Sequence, residues 1–473
     1  MGTINSAFSL MTGALDADQA ALNVVANNVA NANTPGYTEE TPNWQENPPI
    51  TINGVSYGAG VTETGATSVR DRVLTERLDQ QQQLASASGS RLTALNTLQA
   101  LFTPDSGSTS ATAGDIGSDL TSFFSSFSSL EANPTNNALR QQVLSTATTL
   151  AGDVSNAAAS LNSQRSALDQ EASGVTSQVN ALTGAIAQLN RQIQSTSPNA
   201  DAGTLEDQRQ QDLSKLSQLI GINQITTENN GLSITTTTGQ LLVSEGSSFQ
   251  LTTGTVNGVT DFFLGGTDIT SQLTGGGGEL GGYLTARDQD IPNVLSSLDQ
   301  LAYGVSTEVN TLNNAGTDLD GVSGTAANPL YIFNQPTVVA GSAANMSVVM
   351  TDPNQIAAAG LGQGTGDNSN ATAMANLANQ SIVNGQTPTD YYSSFVSTLG
   401  STVSSVQTEN TAQNASVTQL QTQNNALSSV NLNDEASSMT TLERSYQAAS
   451  QVFAMLNTIM ASALNLGDQT TVA

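Results

Sequence analysis

The chain has 473 residues with neither cysteine nor histidine, and its 39 acidic residues against 11 basic ones give a net charge of −28. The missing residue types exclude disulfides, thiolate nucleophiles, histidine general bases and nearly every zinc site. The acidic balance disfavours nucleic acids and anionic membrane surfaces as partners, because both repel it.

Targeting signals are also missing from the sequence. No stretch of about 18 apolar residues is present, so no membrane insertion is expected. The first basic residue is Arg70, so the N-terminus lacks the positive region of a secretory signal. We therefore expect an exported form to leave the cell without a cleaved signal peptide.

The first predicted helix runs from residue 3 to about residue 30 and carries one narrow apolar stripe. Its positions follow alternating steps of four and three residues, which is the heptad spacing of a coiled coil. Asp18 interrupts the stripe, either as a solvated residue if the helix rotates slightly or as a buried polar group that sets the register. The apolar members form the N-terminal seam: Ile4, Phe8, Met11, Leu15, Leu22, Val25 and Val29.

A turn motif, "ANNVANANTPGYT" (26–38), follows this helix. Its asparagines tolerate the left-handed backbone that ends a helix, and Pro35 with Gly36 suits the centre of a type II turn. We predict that Asn31 and Asn33 form hydrogen bonds across subunits of an assembly. The motif residues are Asn27, Asn28, Asn31, Asn33, Pro35, Gly36 and Tyr37.

Long helices are predicted for most of the middle of the chain. The pattern indicates helices at 68–102, 116–131, 137–195 and 204–221, with a loop at 103–115 and a break at 197–201. Periodicity then changes to two, which predicts short strands at 222–284. Helix resumes at about 281–314, a glycine-rich irregular stretch runs to about 370, and further helices reach about 430.

The last predicted helix has a second heptad stripe, and neither terminal helix has a partner close by in sequence. Pairing of the two ends is therefore the expected solution, although packing within an ordinary helical bundle is the alternative. The C-terminal seam contains Leu432, Met439, Leu442, Tyr446, Phe453, Leu456 and Met460.

These elements predict a mainly α, elongated fold of long helices with a small inserted β module and terminal helices paired as a coiled coil. We expect an inner coiled-coil domain from 1–34 with 430–473, a helical rod domain from 35–221 with 285–429, and a β-rich outer module at 222–284.

Enzymatic and ligand-binding interpretations have little support. "DLDG" (318–321) fits part of an EF-hand loop, but Ala327 stands where the bidentate glutamate belongs, so a turn is the better interpretation. "GQGTG" (362–366) has no preceding strand and no following Lys-Ser or Lys-Thr pair, so it is interpreted as a linker. We expect no catalytic residues, no metal and no cofactor.

Four stretches carry a family resemblance. "ANNVANANTPGYTEE" (26–40) resembles the N-terminal signature of the axial proteins of the bacterial flagellum, which form rod, hook and hook-associated parts. The stretches at 205–222, 316–333 and 430–467 are similar to the FlgK family of hook-associated proteins, which join hook to filament. Glu39 and Glu40 stand where an arginine is expected soon after the Gly-Tyr pair. The region between the β module and the last helices is short for the family, which leaves open whether a further outer domain is present.

The resemblance implies a secreted, extracellular structural protein of the bacterial flagellum that self-assembles through its terminal helices into a ring or helical layer. It implies three partners besides further copies: the hook protein, the next hook-associated junction protein, and an export chaperone on the C-terminal helix. Two alternatives remain, a hook or distal rod axial protein and a free-standing extracellular coiled-coil adhesin.

Overall fold

The computed structural model describes residues 2–52, 54–102, 115–197, 201–256 and 258–468. Helices dominate, and the fourth, with 60 residues, is about 90 Å long at a rise of ~1.5 Å per residue. The helices are Gly2–Asn31 (α1), Arg72–Phe102 (α2), Ile116–Ala132 (α3), Asn137–Thr196 (α4), Thr204–Leu219 (α5), Thr270–Leu273 (α6), Gly278–Thr285 (α7), Ile291–Ala315 (α8), Ser369–Asn376 (α9), Pro388–Ser428 (α10) and Leu432–Asp468 (α11).

The strands form small antiparallel sheets in two regions of the chain. In the first region β1 pairs with β4 and β2 with β3; in the second, β5 to β8 form one sheet in sequential order and β9 to β11 form another. The strands are Glu40–Glu46 (β1), Ile50–Ile52 (β2), Val55–Tyr57 (β3), Val61–Ser68 (β4), Ile222–Thr226 (β5), Leu232–Thr236 (β6), Leu241–Ser244 (β7), Ser247–Ser248 (β8), Leu251–Val256 (β9), Val259–Leu264 (β10) and Thr267–Asp268 (β11).

The predicted fold class is confirmed: long helices, a small inserted β module and paired terminal helices. The helices predicted at 3–30, 116–131 and 137–195 appear as α1, α3 and α4 with nearly the same bounds. The strands at 40–68 were not predicted, because that range was assigned to the helical rod. Most of the predicted loop at 103–115 and the centre of the break at 197–201 lie outside the described residues.

Two hydrophobic cores lie along α4. The larger core surrounds the first half of α4 and includes α2, α3, α8 and the irregular segment after it. Phenylalanine rings fill its centre: the Phe123 ring lies 5.2 Å from that of Phe124, 5.3 Å from Phe127 and 5.5 Å from Phe333. The smaller core joins the second half of α4 to α5 and the sheets of the β module, through residues such as Ile234.

Side-chain amides and one arginine attach the β module to α4. Asn180 on α4 exchanges two hydrogen bonds of 2.8 Å with the backbone of Leu251, as a neighbouring strand would. Arg287 lies in a π-helical segment, Ala286–Asp290, between α7 and α8, and its side chain is almost fully buried. Its guanidinium donates to Thr260 O at 2.7 Å and to Asp169 Oδ1 at 2.6 Å, so it joins the π-helical segment to β10 and α4.

The "DLDG" segment forms a turn. The Asp318 carboxylate is 4% exposed. Its Oδ1 accepts from the backbone of Asp320 at 2.9 Å and of Val322 at 2.7 Å. The Asp318 side chain thus stabilises its own loop, in agreement with the turn interpretation.

We expect Phe123→Ala to lower the free energy of unfolding of the larger core by about 3–5 kcal/mol, because it leaves a cavity among packed rings. Phe249→Ala is the control, since Phe249 is 42% exposed, and it should cost less than about 1 kcal/mol. Urea unfolding followed by circular dichroism measures both variants, and equal losses would contradict this description of the core.

Candidate functional site: the paired terminal helices and their junction with the helical layers

The terminal helices α1 and α11 lie side by side and pack through the stripes that heptad spacing predicts. The rings of Phe8 and Phe453 meet edge to face, with centroids 5.2 Å apart, an arrangement that aromatic pairs prefer. Val25 is buried. The other shielded seam side chains are about half-buried in the single chain: Ile4, Met11, Leu15, Leu22, Met439, Leu442, Leu456 and Met460.

Three of the predicted seam residues are largely exposed. Val29 is 41% exposed, Leu432 is 52% exposed and Tyr446 is 37% exposed. Leu432 is the first residue of α11, and the inner position of the first turn belongs to Glu435, which is 6% exposed and four residues before Met439. The heptad register of α11 therefore begins at an acidic residue.

A second face of α1 packs on the ribbon formed by β1 and β4. Ala17 and Ala21 on α1 are buried, at 3% and 0% exposure. A Cβ atom at Gly13 would lie 3.2 Å from the carbonyl oxygen of Val61 on β4. Small residues thus allow the ribbon to approach α1 closely, and α1 lies between the ribbon and α11.

Asp18 interrupts the N-terminal seam with a shielded carboxylate oxygen. Its Oδ2 is buried and has no hydrogen-bond partner among the described residues. The residue as a whole is partly exposed, so a register-setting role for Asp18 stays a prediction.

Asn28 is the polar centre where the two terminal helices meet the turn. Its side chain is 1% exposed. Its Nδ2 donates to Glu435 Oε1 at 2.7 Å and to Glu40 O at 2.9 Å, while its Oδ1 accepts from the Tyr37 hydroxyl at 2.8 Å and from Glu40 N at 3.1 Å. The amide therefore uses two donors and two acceptors, its full capacity.

Tyr37 remains a neutral hydroxyl in this network. Burial, followed by the nearby Glu40 carboxylate, raises the pKa of Tyr37 above its ordinary value. Tyr37 can therefore donate to Asn28 while accepting from Asn27 Nδ2 at 3.2 Å.

The turn itself has the geometry that its sequence favours. Tyr37 N donates to Thr34 O at 3.2 Å, and Gly36 has φ of +77°, as the third position of a type II turn requires. The Asn31 amide donates to Asn27 O at 3.0 Å and accepts from the Thr34 hydroxyl at 3.1 Å, so it braces the helix end within its own chain. Asn33 lies exposed at the surface.

Acidic residues of α5 hold the segment that leaves the turn. Arg70 Nη1 lies 3.0 Å from Glu206 Oε2, and Arg70 Nη2 pairs with Asp207. Arg72 adds a second contact to Glu206 at 3.1 Å, and Thr38 N donates to Asp207 Oδ2 at 3.1 Å. The "LEDQRQQ" stretch of the resemblance therefore binds the chain on both sides of the β1–β4 ribbon.

A polar cluster beneath the turn joins α2, α5 and the β module. Asp79 is 1% exposed, and its Oδ2 accepts from Gln210 at 2.8 Å and from Gln224 at 2.9 Å. Burial raises the pKa of Asp79 to about 6, against the opposing effect of these hydrogen bonds. Beside it, Gln83 exchanges hydrogen bonds of 3.0 and 2.8 Å with the backbone of Ile222, which anchors β5 to α2.

A polar cavity of about 310 Å³ lies between the turn, α2, α5 and the end of α10. Among its lining residues, Asn424 carries a buried Oδ1 with no partner in the described part of the chain. The described residues contain no group of three His, Cys, Asp or Glu that could hold a metal ion. No helix among them is both long and apolar enough to cross a membrane.

Two family models match the chain. One, described as the flagellar hook-associated protein FlgK helical domain, matches residues 106–327, and one, described as flagella basal body rod protein, matches residues 11–38. Curated relatives named flagellar hook-associated protein 1 from Salmonella typhimurium and Escherichia coli are each 26% identical. The alignments cover 96% and 98% of this chain, and 98% and 99% of those relatives.

Over nearly its whole length the chain is similar to the FlgK family of flagellar hook-associated proteins. Its fold is similar to that of the flagellar hook junction protein FlgK from Burkholderia pseudomallei, with a TM-score of 0.63 and 18% identity over 73% of this chain and 99% of that one. The two curated alignments run over 549 and 554 positions, more than the 473 residues here, so those FlgK relatives contain residues without a counterpart in this chain.

The sequence patterns located the helices of this site but missed its polar contacts. Glu435 has no place in the predicted heptad stripe of the last helix, and Arg70 was interpreted only as the first basic residue. Buried pairing partners of this kind are distant in sequence, as with Asn28 and Glu435, and no local spacing connects them.

We expect Glu435→Ala to lower the free energy of local opening of α11 by about 1–3 kcal/mol, because the buried Asn28 amide loses its charged acceptor. Glu435→Gln should retain most of the stability, since its amide oxygen can accept the same bond. Hydrogen exchange of the α11 backbone measures the effect. Glu443→Ala, at an exposed position of the same helix, is the control, and equal exchange rates in the two alanine variants would contradict the role of Glu435.

Asp79 should make the stability of the folded chain depend on pH. Because its pKa rises from 3.8 to about 6 on folding, the folded state keeps a proton that the unfolded chain has released between these values. Stability from this group is therefore lost as the pH rises from about 4 to 7, by an amount on the order of 3 kcal/mol.

Asp79→Asn should remove that dependence, because the side chain no longer titrates. Urea unfolding at pH 4 and pH 7 measures it, with Asp16→Asn at an exposed position of α1 as the control. A stability difference between wild type and Asp79→Asn that stays constant over this range would refute the prediction.

Proposed function

We propose that this chain forms the junction between the flagellar hook and filament and assembles after export through its paired terminal helices. The observation that carries the proposal is a second apolar stripe on α11, the outer stripe, which flanks the seam and is exposed. Val452 is 44% exposed, Met455 is 64% exposed and Ile459 is 48% exposed. In a single chain this stripe has no cover, whereas neighbouring copies in a layer would bury it.

The half-buried seam supports the same proposal. An isolated pair of helices covers only one side of each member, and the seam side chains keep partial contact with solvent. Such a pair is marginal alone and gains stability from further helices packed around it. We infer that terminal pairs from several copies complete one another in a ring or helical layer.

The proposed partners follow from the similarity to the FlgK relatives. We propose the hook protein on one side and the next hook-associated junction protein on the other, with an export chaperone holding the C-terminal helix before assembly. Export without a cleaved signal peptide and an extracellular location in the flagellum belong to the same proposal, as does a structural role without enzymatic activity.

We propose a domain division that follows the chain as the sequence suggested: an inner coiled-coil domain (1–34 and 430–473), helical layers (35–221 and 285–429) and an outer β module (222–284). The contacts at Asn28 and the bend at 429–431 between α10 and α11 support the inner boundary. The second core supports the outer module as a unit on α4 and α5. The ribbon β1–β4 lies at the inner boundary.

Contacts between copies at the turn remain part of the proposal. Asn31 already forms hydrogen bonds within its own chain, and Asn33 is exposed. We propose that Asn33, and the remaining capacity of Asn31, bond to neighbouring subunits. A structure of the assembled layer with both amides bonded only within their own chain would refute this.

Deleting residues 431–473 should leave a protein that no longer binds isolated hooks, because α1 loses its partner and the outer stripe is gone. Sedimentation with purified hook fragments measures binding. In cells, loss of the gene product should release filament protein into the medium while hooks remain. Normal filament attachment by the truncated protein would rule out assembly through the terminal pair.

A finer comparison keeps α11 in place. Met455→Ser with Ile459→Ser should preserve the pairing of α1 and α11 but weaken hook binding, because only the outer stripe changes. Gln451→Ser with Asn457→Ser, at exposed polar positions of the same helix, is the matched control. Equal binding by the two double variants would show that the outer stripe takes no part in assembly.

A further inference from the structure

The hairpin β2–β3 carries an apolar face with no cover in the single chain. Ile50 pairs with Tyr57 and Thr51 with Ser56, so hydrophobic and hydroxyl side chains occupy opposite faces of the hairpin. On the apolar face Ile50 is 44% exposed, Val55 is 53% exposed and Tyr57 is 52% exposed. One face of the hairpin is therefore apolar and suited to packing, whereas the other is polar.

This hairpin has little to stabilise it alone. A two-stranded ribbon is marginal in water unless its apolar face packs on another element. It extends from the β1–β4 ribbon, where Trp44 is 50% exposed and Glu46, two residues further along β1, is also exposed. Trp44 and Glu46 lie on one face of β1, because side chains alternate along a strand.

A shallow apolar groove elsewhere on the chain is equally uncovered. It lies between the first turns of α2 and the last turns of α10 and has a volume of about 450 Å³. Val73 is 64% exposed and Leu427 is 56% exposed, and Leu74 and Ala426 line the floor between them. The groove and the hairpin are the same kind of surface, two exposed patches of aliphatic side chains.

Charge gives the groove a preferred partner. Arg77 and Asp71 both line it. Asp71 Oδ1 accepts from Leu74 N at 3.0 Å at the start of α2, whereas Arg77 is exposed, in a chain with only 11 basic residues and a net charge of −28. Neither Arg77 nor Glu46 has an ion-pair partner among the described residues. An exposed cation beside aliphatic side chains favours an apolar segment that carries a carboxylate, and the hairpin with Glu46 has this composition.

We propose that the apolar face of the β2–β3 hairpin of one copy docks into the α2–α10 groove of a second copy, with Glu46 paired to Arg77. The inference depends on the proposed function, because it requires copies side by side. A contact between two different patches of one chain is heterologous, so repeating it produces a ring or a helical layer and not a closed pair. Docking would also supply the packing that the hairpin lacks.

The absence of cysteine allows a direct test by cross-linking. One preparation carries Val55→Cys and a second carries Leu427→Cys, and the full-length proteins are mixed on isolated hooks under mild oxidation. We expect a disulfide-linked dimer in the mixture and little in either preparation alone. Val55→Cys mixed with Val338→Cys is the matched control, since Val338 is 63% exposed but lies outside the groove.

Charge reversal tests the proposed ion pair. Arg77→Glu should lower the cross-link yield about fivefold or more, because two carboxylates would then face each other. Adding Glu46→Arg to the opposite copy should restore it. Lys215→Glu, at another exposed cation, is the control and should leave the yield unchanged. Fluorescence of Trp44, the only tryptophan, should shift to shorter wavelength on assembly of the wild type and not of Arg77→Glu.

The outcomes separate this inference from the proposed function. If wild-type protein does not bind hooks at all, the proposed function fails. If it binds while the mixed cysteine preparations give no dimer above the control, docking between copies is refuted. A chain carrying both cysteines that closes a disulfide within itself at high dilution, with no dimer in the mixture, would place the hairpin in its own groove and also refute the inference.

Discussion

The Asn28 amide joins the end of α1 both to the strand after the turn, 12 residues further on, and to the first turn of α11, 407 residues further on. Because both donors and both acceptors are used at a nearly inaccessible position, no other side chain fits without leaving a buried group unpaired. The amide therefore ties both terminal helices to the strand that follows the turn. The apolar seams then add contact area to an arrangement whose register is already defined.

Arginine has an internal role in this acidic molecule. Arg70, Arg140, Arg209 and Arg287 are nearly buried, and each binds carboxylates, carbonyls or amides that connect different elements. The carboxylates they neutralise are structural, and most remaining acidic groups face solvent. The surface therefore carries most of the negative net charge, and recognition between the proposed neighbouring copies would rely on apolar shape and on the few exposed cations.

Periodicity explains how much of this structure could be predicted. Heptad steps identified α1 and α11, a long 3.6-residue pattern identified α4, and glycine-bounded alternation identified the β module. The ribbon at 40–68 was not predicted, because prolines and polar residues, as in "ETPNWQENPP", weaken the alternation of apolar and polar residues in β1. The buried contacts of Glu435, Asp79 and Arg70 escaped for a different reason. These contacts join residues that are close only in the folded chain, and residue spacing along one sequence does not reveal them.

The length of α4 has a mechanical consequence. Both hydrophobic cores are built on this helix, so a force applied at the β module reaches the phenylalanine-rich core along one continuous ladder of backbone hydrogen bonds. Sliding between the two cores would require the helix to break. Compliance is concentrated instead where the chain has no helix, at the turn around Gly36 and at the bend between α10 and α11. Any tilt of the terminal helix pair against α4 would therefore have to occur at these two non-helical links, and not within α4 itself.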